Sequence, residues 1–216
     1  MSKETKTPKH FKLNTKNKIF KTFNFTKQQS LKTEQYLKEI YAYNAHTNIV
    51  GRSTLVDPWN RHILDSIQIK KFIKNKKSSI LDLGTGAGIP GMILAINNFT
   101  NVSLIDSNFK KIVFVNKVSI KLNIKVRIYH QRIESLLNKK FDYLVSRALT
   151  NLNKLFFLSQ KFLKKDSILV LLKGKKIKEE ISVAKKKWDF TYEIHQSKSD
   201  KTGKIIVIKN LKNLYE

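Results

Sequence analysis

The strongest structural signal in this chain is the stretch Ile80-Leu81-Asp82-Leu83-Gly84-Thr85-Gly86-Ala87-Gly88-Ile89-Pro90-Gly91. Its first four residues are mostly apolar and predict a buried parallel strand, which the glycines end abruptly. Apolar residues then recur at helical spacing. Glycines at such a junction allow positive φ angles and let a ligand approach the main chain without meeting a Cβ atom. The stretch therefore predicts a strand–loop–helix nucleotide pocket, with candidate binding residues Gly84, Gly86, Gly88 and Ile89.

The same residues narrow the choice of nucleotide. A dinucleotide fingerprint requires a third glycine where Ile89 stands, and a P-loop requires a lysine, which this loop lacks. Asp82 lies two residues before the first glycine, where its negative charge would disfavour a diphosphate. A cationic nucleoside without phosphate fits better, and S-adenosylmethionine is such a ligand. The alternative is that Asp82 only caps the loop.

A second acid strengthens the case for a nucleoside. Asp106 ends the next apolar strand, about 20 residues further on, where βαβ units place an acid that hydrogen-bonds a ribose. The pair Asp82 and Asp106 is more specific than either acid alone.

From Ile80 onward, predicted strands and helices alternate, which indicates an α/β fold with a doubly wound, mostly parallel sheet and right-handed crossovers. With S-adenosylmethionine as the ligand, we expect this to be a Rossmann-like methyltransferase sheet. A C-terminal antiparallel hairpin and an N-terminal helical extension complete this prediction. The strands are predicted at 80–83, 102–106, 125–129, 141–146, 167–173, 188–197 and 204–209. The helices are predicted at 29–45, 89–97, 108–122, 133–138, 151–163 and 176–187.

Three regions follow from this pattern. Residues 1–28 are polar and basic and are expected to form a flexible arm, residues 29–78 a helical region, and residues 79–216 the methyltransferase domain. Within the helical region, Pro58 suits the first turn of a second helix. Arg61 and Asp65 stand one turn apart on that helix, so they can pair. The pair is either a simple surface salt bridge or part of a helix that closes over the mouth of the cofactor pocket, and the sequence leaves both open.

Composition limits the class of protein. The 43 basic and 16 acidic residues give a net charge of +27, which favours a polyanionic partner, although lysine excess can also reflect an A/T-rich genome. There is no cysteine, so disulfides, thiolate metal sites and cysteine nucleophiles are excluded. The five histidines lack metal-ligand spacing, and no run is long enough for a signal peptide or a membrane span. We therefore expect a cytoplasmic protein without a metal.

Four blocks, in order, resemble the glucose-inhibited division protein B family of bacterial enzymes. They are Arg61-His62-Ile63-Leu64-Asp65-Ser66, the stretch from Asp82 to Gly91, Asp106-Ser107 with Lys110-Lys111-Ile112-x-Phe114, and Phe141-Asp142-x-x-x-Ser146-Arg147-Ala148. The resemblance runs from about residue 48 to 174 and continues in weaker form to the end. Members of the family use S-adenosylmethionine to methylate a guanine at N7 in 16S ribosomal RNA.

The resemblance also implies roles for individual residues. Gly84 and Ile89 would line the methionine side of the cofactor, Ile133 and Glu134 would flank its adenine, and Arg147 would reach the cofactor or the target base. The candidate RNA contacts are Arg61, His62, Arg147, Lys173 and Lys175. The partner would be 16S ribosomal RNA or the small ribosomal subunit, and the protein is expected to act as a monomer.

The implied reaction agrees with the residues present. Guanine N7 carries a free lone pair, so attack on the methyl group needs no general base, and positioning alone supplies large effective molarities. No catalytic residue is therefore predicted. Two other functions remain open: a small-molecule methyltransferase with the same pocket, and a non-catalytic RNA-binding or ribosome-assembly factor that kept the fold.

Overall fold

The computed structural model describes residues 13–137 and 139–215, and within these ranges seven strands form one sheet. The order across the sheet is β3-β2-β1-β4-β5-β7-β6. The strands β1 to β5 run parallel, and β7 is antiparallel to both β5 and β6. Their bounds are β1 Ile80–Leu83, β2 Val102–Asp106, β3 Arg127–His130, β4 Phe141–Arg147, β5 Leu163–Lys173, β6 Trp188–Gln196 and β7 Lys204–Asn213. The predicted mostly parallel sheet and its C-terminal hairpin are confirmed.

From residue 29 onward the helices follow the predicted order with shifted ends, except that the helix predicted at 133–138 is only a 3-10 turn, Ile133–Ser135. Their bounds are α1 Leu13–Thr22, α2 Lys27–Asn44, α3 Asp65–Ile67, α4 Gly91–Ile96, α5 Phe109–Lys121, α6 Leu152–Ser159 and α7 Ile177–Ala184. Before and after α3 the chain forms a π-helical segment, Trp59–Leu64, and a 3-10 segment, Gln68–Phe72; the three together are called the 59–72 helix. No helix in the described ranges is both long and apolar enough to cross a membrane.

Side-chain caps explain where three helices begin. The Thr26 hydroxyl accepts the backbone N–H of Gln29, and the Gln29 side chain accepts the N–H of Thr26, so α2 starts with a capping box. The side chains of Asn108 and Asn151 each accept one backbone N–H, of Lys111 and Lys154, and so cap α5 and α6. Asn108 thereby fixes the start of α5 three residues after the end of β2.

Two hydrophobic clusters cover the two faces of the sheet, as alternation along the strands requires. One contains Ile80 and Leu104 from the sheet, packed by α2, the 59–72 helix, α4 and α5. The other contains Leu81 and Ile105 from the same strands, packed by α6 and α7. The helical region predicted at 29–78 therefore shares its core with the sheet.

The flexible arm predicted at 1–28 is wrong for residues 13–22, which form α1. Ile19 and Phe23 are one helical turn apart and only 2% and 8% exposed, because they pack into the cluster that contains α2. Lys16 also pairs with Glu34 at 3.1 Å. This helix was not predicted, because one pair of apolar residues a turn apart, surrounded by lysines, is too weak a helical pattern. The prediction for residues 1–12 lies outside the described residues.

Candidate active site

The loop after β1 contains three glycines with positive φ angles. Gly84, Gly86 and Gly88 have φ angles of +64°, +60° and +90°, which other L-residues rarely adopt. The backbone N–H of Thr85 donates to the Ile105 carbonyl at 3.0 Å. The N–H of Gly86 donates to Asp106 Oδ2 at 2.8 Å. The loop is thus held against the end of β2.

The three glycines are needed for different reasons. A Cβ atom at Gly84 would collide with the Leu149 side chain, and one at Gly88 would lie 2.5 Å from Met92 Cγ. A Cβ atom at Gly86 would meet nothing closer than 4.0 Å. Gly84 and Gly88 are therefore required by internal packing, whereas Gly86 leaves its main chain open to the cavity described below.

Asp106 is placed as predicted, at the carboxyl end of β2 and on the cavity wall. Its Oδ2 accepts the N–H of Gly86, and its Oδ1 accepts the N–H of Asn108 at 2.8 Å. Each carboxylate oxygen can accept more than one hydrogen bond. These two hydrogen bonds orient the carboxylate, which can still accept further hydrogen bonds from the hydroxyl groups of a ligand.

Asp82 lies beneath the loop, not on the cavity wall. It is fully buried, and its Oδ2 accepts the Thr85 hydroxyl at 2.5 Å and the Gly91 N–H at 2.8 Å. Its Oδ1 is buried without a hydrogen-bond partner. Burial raises the pKa of Asp82 to about 7, although both hydrogen bonds act in the opposite direction. This geometry corrects the prediction of a direct ligand contact and supports the alternative, in which Asp82 caps the loop.

A cavity of about 940 Å³ opens at the carboxyl ends of β1, β2, β4 and β5, where sheets of this type bind ligands. One part of its wall, here called the glycine half, consists of residues 84–87, Ile89 and Asp106. The other part, here called the arginine half, contains Arg61, His62, Asp65, Arg147 and Lys173. Eight predicted site residues are brought together on this wall: Gly84, Gly86, Ile89, Asp106, Arg61, His62, Arg147 and Lys173.

The remaining predicted residues lie elsewhere. Ile133 and Glu134 line a smaller cavity of about 190 Å³, which shares Gly84 and Asp106 with the large one and therefore adjoins it. Gly88 turns inward, and Lys175 is exposed beside the cavity without lining it.

Arg147 is held by acceptors from the 59–72 helix. Its Nη1 donates to the Arg61 carbonyl at 2.5 Å and lies 3.4 Å from Asp65 Oδ2, and its Nη2 lies 3.3 Å from His62 Nδ1. Burial lowers the pKa of His62 to about 3, and the guanidinium groups of Arg147 and Arg61 add to this effect. His62 is therefore neutral at physiological pH.

The ion pair that helical spacing allows between Arg61 and Asp65 is not formed. Arg61 pairs instead with Asp200 at 2.8 Å, and Asp65 pairs with Arg147 and accepts the Ser199 hydroxyl at 2.7 Å. Helical spacing makes the local pair possible, but the turn between β6 and β7 brings Asp200 and Ser199 against the helix. That turn supplies a wall of the cavity that no local pattern predicts.

Several residues that shape the site were missed. The hydroxyl of Tyr36, a fully buried residue of α2, donates to the Ala87 carbonyl and so supports the glycine loop from below. Burial raises the pKa of Tyr36 far above its usual range. Lys111 lies within 4.0 Å of the Cβ position at Gly86. Tyr36 lies among the buried residues of α2, and nothing in the local sequence distinguishes a contact with the loop from ordinary packing.

The comparisons with known proteins agree with this geometry. The family described as "GidB: rRNA small subunit methyltransferase G" matches residues 29–209. The chain belongs to this family. The resemblance predicted from the four sequence blocks is thereby confirmed.

Relatives in the rRNA small subunit methyltransferase G family align with most of this chain. "Ribosomal RNA small subunit methyltransferase G" of Rickettsia prowazekii (strain Madrid E) is 40% identical over 180 residues, which are 83% of this chain and 93% of that protein. The protein of the same name from Rickettsia typhi (strain ATCC VR-144 / Wilmington) is 40% identical over 172 residues, 80% of this chain and 89% of the relative.

Solved structures show the fold of this family member independently. A SAM dependent methyltransferase from Aquifex aeolicus superposes with a TM-score of 0.58 at 17% identity, covering 72% of this chain and 95% of that one. M. jannaschii TYW2 in complex with AdoMet superposes with a TM-score of 0.53 at 17% identity, covering 69% and 77%. The predicted Rossmann-like methyltransferase fold is confirmed.

Proposed function

We propose that this chain transfers a methyl group from S-adenosylmethionine to N7 of one guanine in 16S ribosomal RNA. Membership of the rRNA small subunit methyltransferase G family supports the activity and the class of substrate. The observation that carries the assignment of the site is the open main chain at Gly86, next to a carboxylate that the loop itself orients.

The glycine half fits S-adenosylmethionine. The cofactor carries no phosphate and would supply an electrophilic methyl group on a sulfonium. Gly84 to Ile89 would bind its methionine part through main chain that no Cβ atom shields at Gly86. Asp106 would accept the ribose hydroxyls. Ile133 and Glu134 would flank the adenine, because their small cavity continues from the large one past Gly84 and Asp106.

The arginine half would receive the target guanine. The base must leave its stack to enter a cavity of this kind. N7 is already nucleophilic, so the wall needs to orient the base and does not need to remove a proton. Methylation leaves positive charge on the imidazole ring of the guanine, which makes a guanidinium an unfavourable neighbour for N7 itself. Arg147 would therefore bind guanine O6, an RNA phosphate or the cofactor carboxylate.

Cations at the rim suit an RNA substrate. Lys173 pairs with Glu180 at 2.6 Å, and Arg61 pairs with Asp200, so both are neutralised within the protein. Lys175 and Lys176 are exposed and form no ion pair within the described residues. We assign the backbone contacts of the RNA first to these two lysines and only then to Arg61 and Lys173.

Mapping of ribosomal RNA tests this function. RNA from cells with and without the gene is treated with borohydride and aniline, which cleave the strand at N7-methylguanine. We expect one cleavage in small-subunit RNA to disappear with the gene and to return when the wild-type gene is restored, but not when a Gly86→Ala gene is restored. Identical cleavage patterns with and without the gene would refute the proposal.

A further inference from the structure

His62 is a buried histidine on the wall of the arginine half, and the proposed methyl transfer gives it no chemical step. It is fully buried and neutral, because burial lowers its pKa to about 3. A neutral imidazole has one N–H donor and one bare acceptor nitrogen. Which nitrogen carries the proton determines what His62 presents to Arg147.

The neighbours of His62 fix the position of that proton. The Thr54 hydroxyl donates its single hydrogen to the Gly51 carbonyl at 2.6 Å. The same oxygen lies 3.0 Å from His62 Nε2, and it can only accept there. Nε2 therefore carries the proton, and Nδ1 is bare.

The bare Nδ1 faces a group that can only donate. It lies 3.3 Å from Nη2 of Arg147, and a guanidinium has five N–H donors and no acceptor. Three of these donors are directed to the Arg61 carbonyl, Asp65 Oδ2 and His62 Nδ1. Within the described residues, one N–H on Nη2 and the one on Nε remain for a ligand.

We propose that His62, with its tautomer fixed by Thr54, is a positioning residue that orients the Arg147 guanidinium for methyl transfer. This inference rests on the function proposed above. A proton on Nδ1 would set two donors against each other and turn the guanidinium away. Thr54, His62 and Arg147 thus form a chain of hydrogen bonds that connects the Gly51–Thr54 segment to the substrate side of the cavity.

A double-mutant cycle on methyl transfer tests the chain. Thr54→Val removes the hydroxyl with little change of shape, and we expect it to lower kcat/KM on small subunits about tenfold. Thr54→Ser keeps the hydroxyl and should restore most of the loss. In an Arg147→Met background, Thr54→Val should have almost no further effect, because the residue through which it acts is gone.

The outcomes separate the two proposals. If Thr54→Val lowers the rate equally in both backgrounds, or if Thr54→Ser is as impaired as Thr54→Val, His62 does not act through Arg147 and the inference fails while the function stands. If the wild-type protein transfers no methyl group to small subunits or their RNA, the proposed function fails.

A spectroscopic measurement tests the tautomer without an activity assay. In protein labelled with ¹⁵N-histidine, the chemical shifts of the two ring nitrogens show which one is protonated. At neutral pH we expect a proton on Nε2 of His62 in wild type and Thr54→Ser, and a changed or mixed tautomer in Thr54→Val. His62→Phe identifies the signal among the five histidines. A proton on Nδ1 in the wild-type protein would overturn the inference.

Discussion

The two halves of the cavity are built in different ways. The glycine half is formed mainly by main chain, from one loop of consecutive residues and one acid at the end of the neighbouring strand. The arginine half is formed by charged side chains from the 59–72 helix, the end of β4 and the turn between β6 and β7. In the glycine half, a ligand can reach the main chain only where a residue has no Cβ atom. In the arginine half, the direction in which each charged group points is set by the residues that pair with it.

The largest expected effect is at Gly86, and it concerns the glycine half. Gly86→Ala places a methyl group in the open cavity at a φ of +60°. We expect the Kd for S-adenosylmethionine, measured by calorimetry, to rise about a hundredfold or more, because the ligand would approach this main chain directly.

Asn98→Ala is the matched control for this variant. Asn98 also has a positive φ, of +68°, but lies away from the cavity. Gly86→Ala should lose about 1 kcal/mol of stability because it adds a Cβ atom to a left-handed backbone, and Asn98→Ala should lose less because Asn98 already has one. Only Gly86→Ala should lose cofactor binding. Normal affinity in Gly86→Ala would show that the ligand does not bind along this loop.

The second effect compares two arginines of the arginine half. Arg147 has three acceptors and a side chain 22% exposed, whereas Arg61 has one ion pair and a side chain 48% exposed. We expect Arg147→Met to lower kcat/KM about a hundredfold and Arg61→Met about threefold, because an exposed pair contributes little. Equal losses in methyl-transfer assays would contradict the difference in their roles.

The third effect concerns the support of the glycine loop. Tyr36→Phe removes the hydroxyl that donates to the Ala87 carbonyl and leaves that carbonyl buried without a partner. We expect the free energy of unfolding to fall by about 2 kcal/mol and the affinity for S-adenosylmethionine to fall severalfold. Tyr43→Phe is the control, since no hydrogen bond of its hydroxyl is seen in the described residues. Urea unfolding measures the free energy of unfolding of both variants. Similar losses in Tyr36→Phe and Tyr43→Phe would show that the hydrogen bond from Tyr36 does not support the glycine loop.

The smallest effect is a pH dependence of stability caused by Asp82. Its pKa is raised to about 7 in the folded protein from an ordinary value of 3.8, so the folded state binds the proton more tightly than the unfolded state. The contribution of Asp82 to the free energy of unfolding is complete below pH 3.8, falls as pH rises above that value, and is lost above about 7.

Urea unfolding at about pH 6 and about pH 8 measures this effect. Wild type should lose about 1 kcal/mol through Asp82 over this interval, and Asp82→Asn should lack that loss. His62 offsets part of this loss, because its lowered pKa adds stability as pH rises through about 6.5, so the contribution of Asp82 is read as the difference between wild type and Asp82→Asn. An identical pH dependence in Asp82→Asn would mean that Asp82 is ionised in the folded protein at both pH values.

The sequence was informative where the chemistry is local. The glycine loop, Asp106 and the strand–helix alternation were predicted because each depends on a few consecutive residues and on a fixed spacing. Asp82 was recognised as important but given the wrong favoured role, because spacing alone cannot tell a buried cap from a ligand contact. The Arg61–Asp65 pair that spacing allows does not form, because a distant turn supplies other partners for both residues. Helix α1 was missed because its burial depends on a surface formed by other helices.

A crystal structure with S-adenosylhomocysteine bound would show where the cofactor lies in this protein. We expect the homocysteine part along Gly84 to Ile89, the ribose hydroxyls on Asp106 and the adenine beside Ile133 and Glu134. A ligand bound in another cavity, or in this one without contact to Asp106 and the Gly86 main chain, would contradict this expectation.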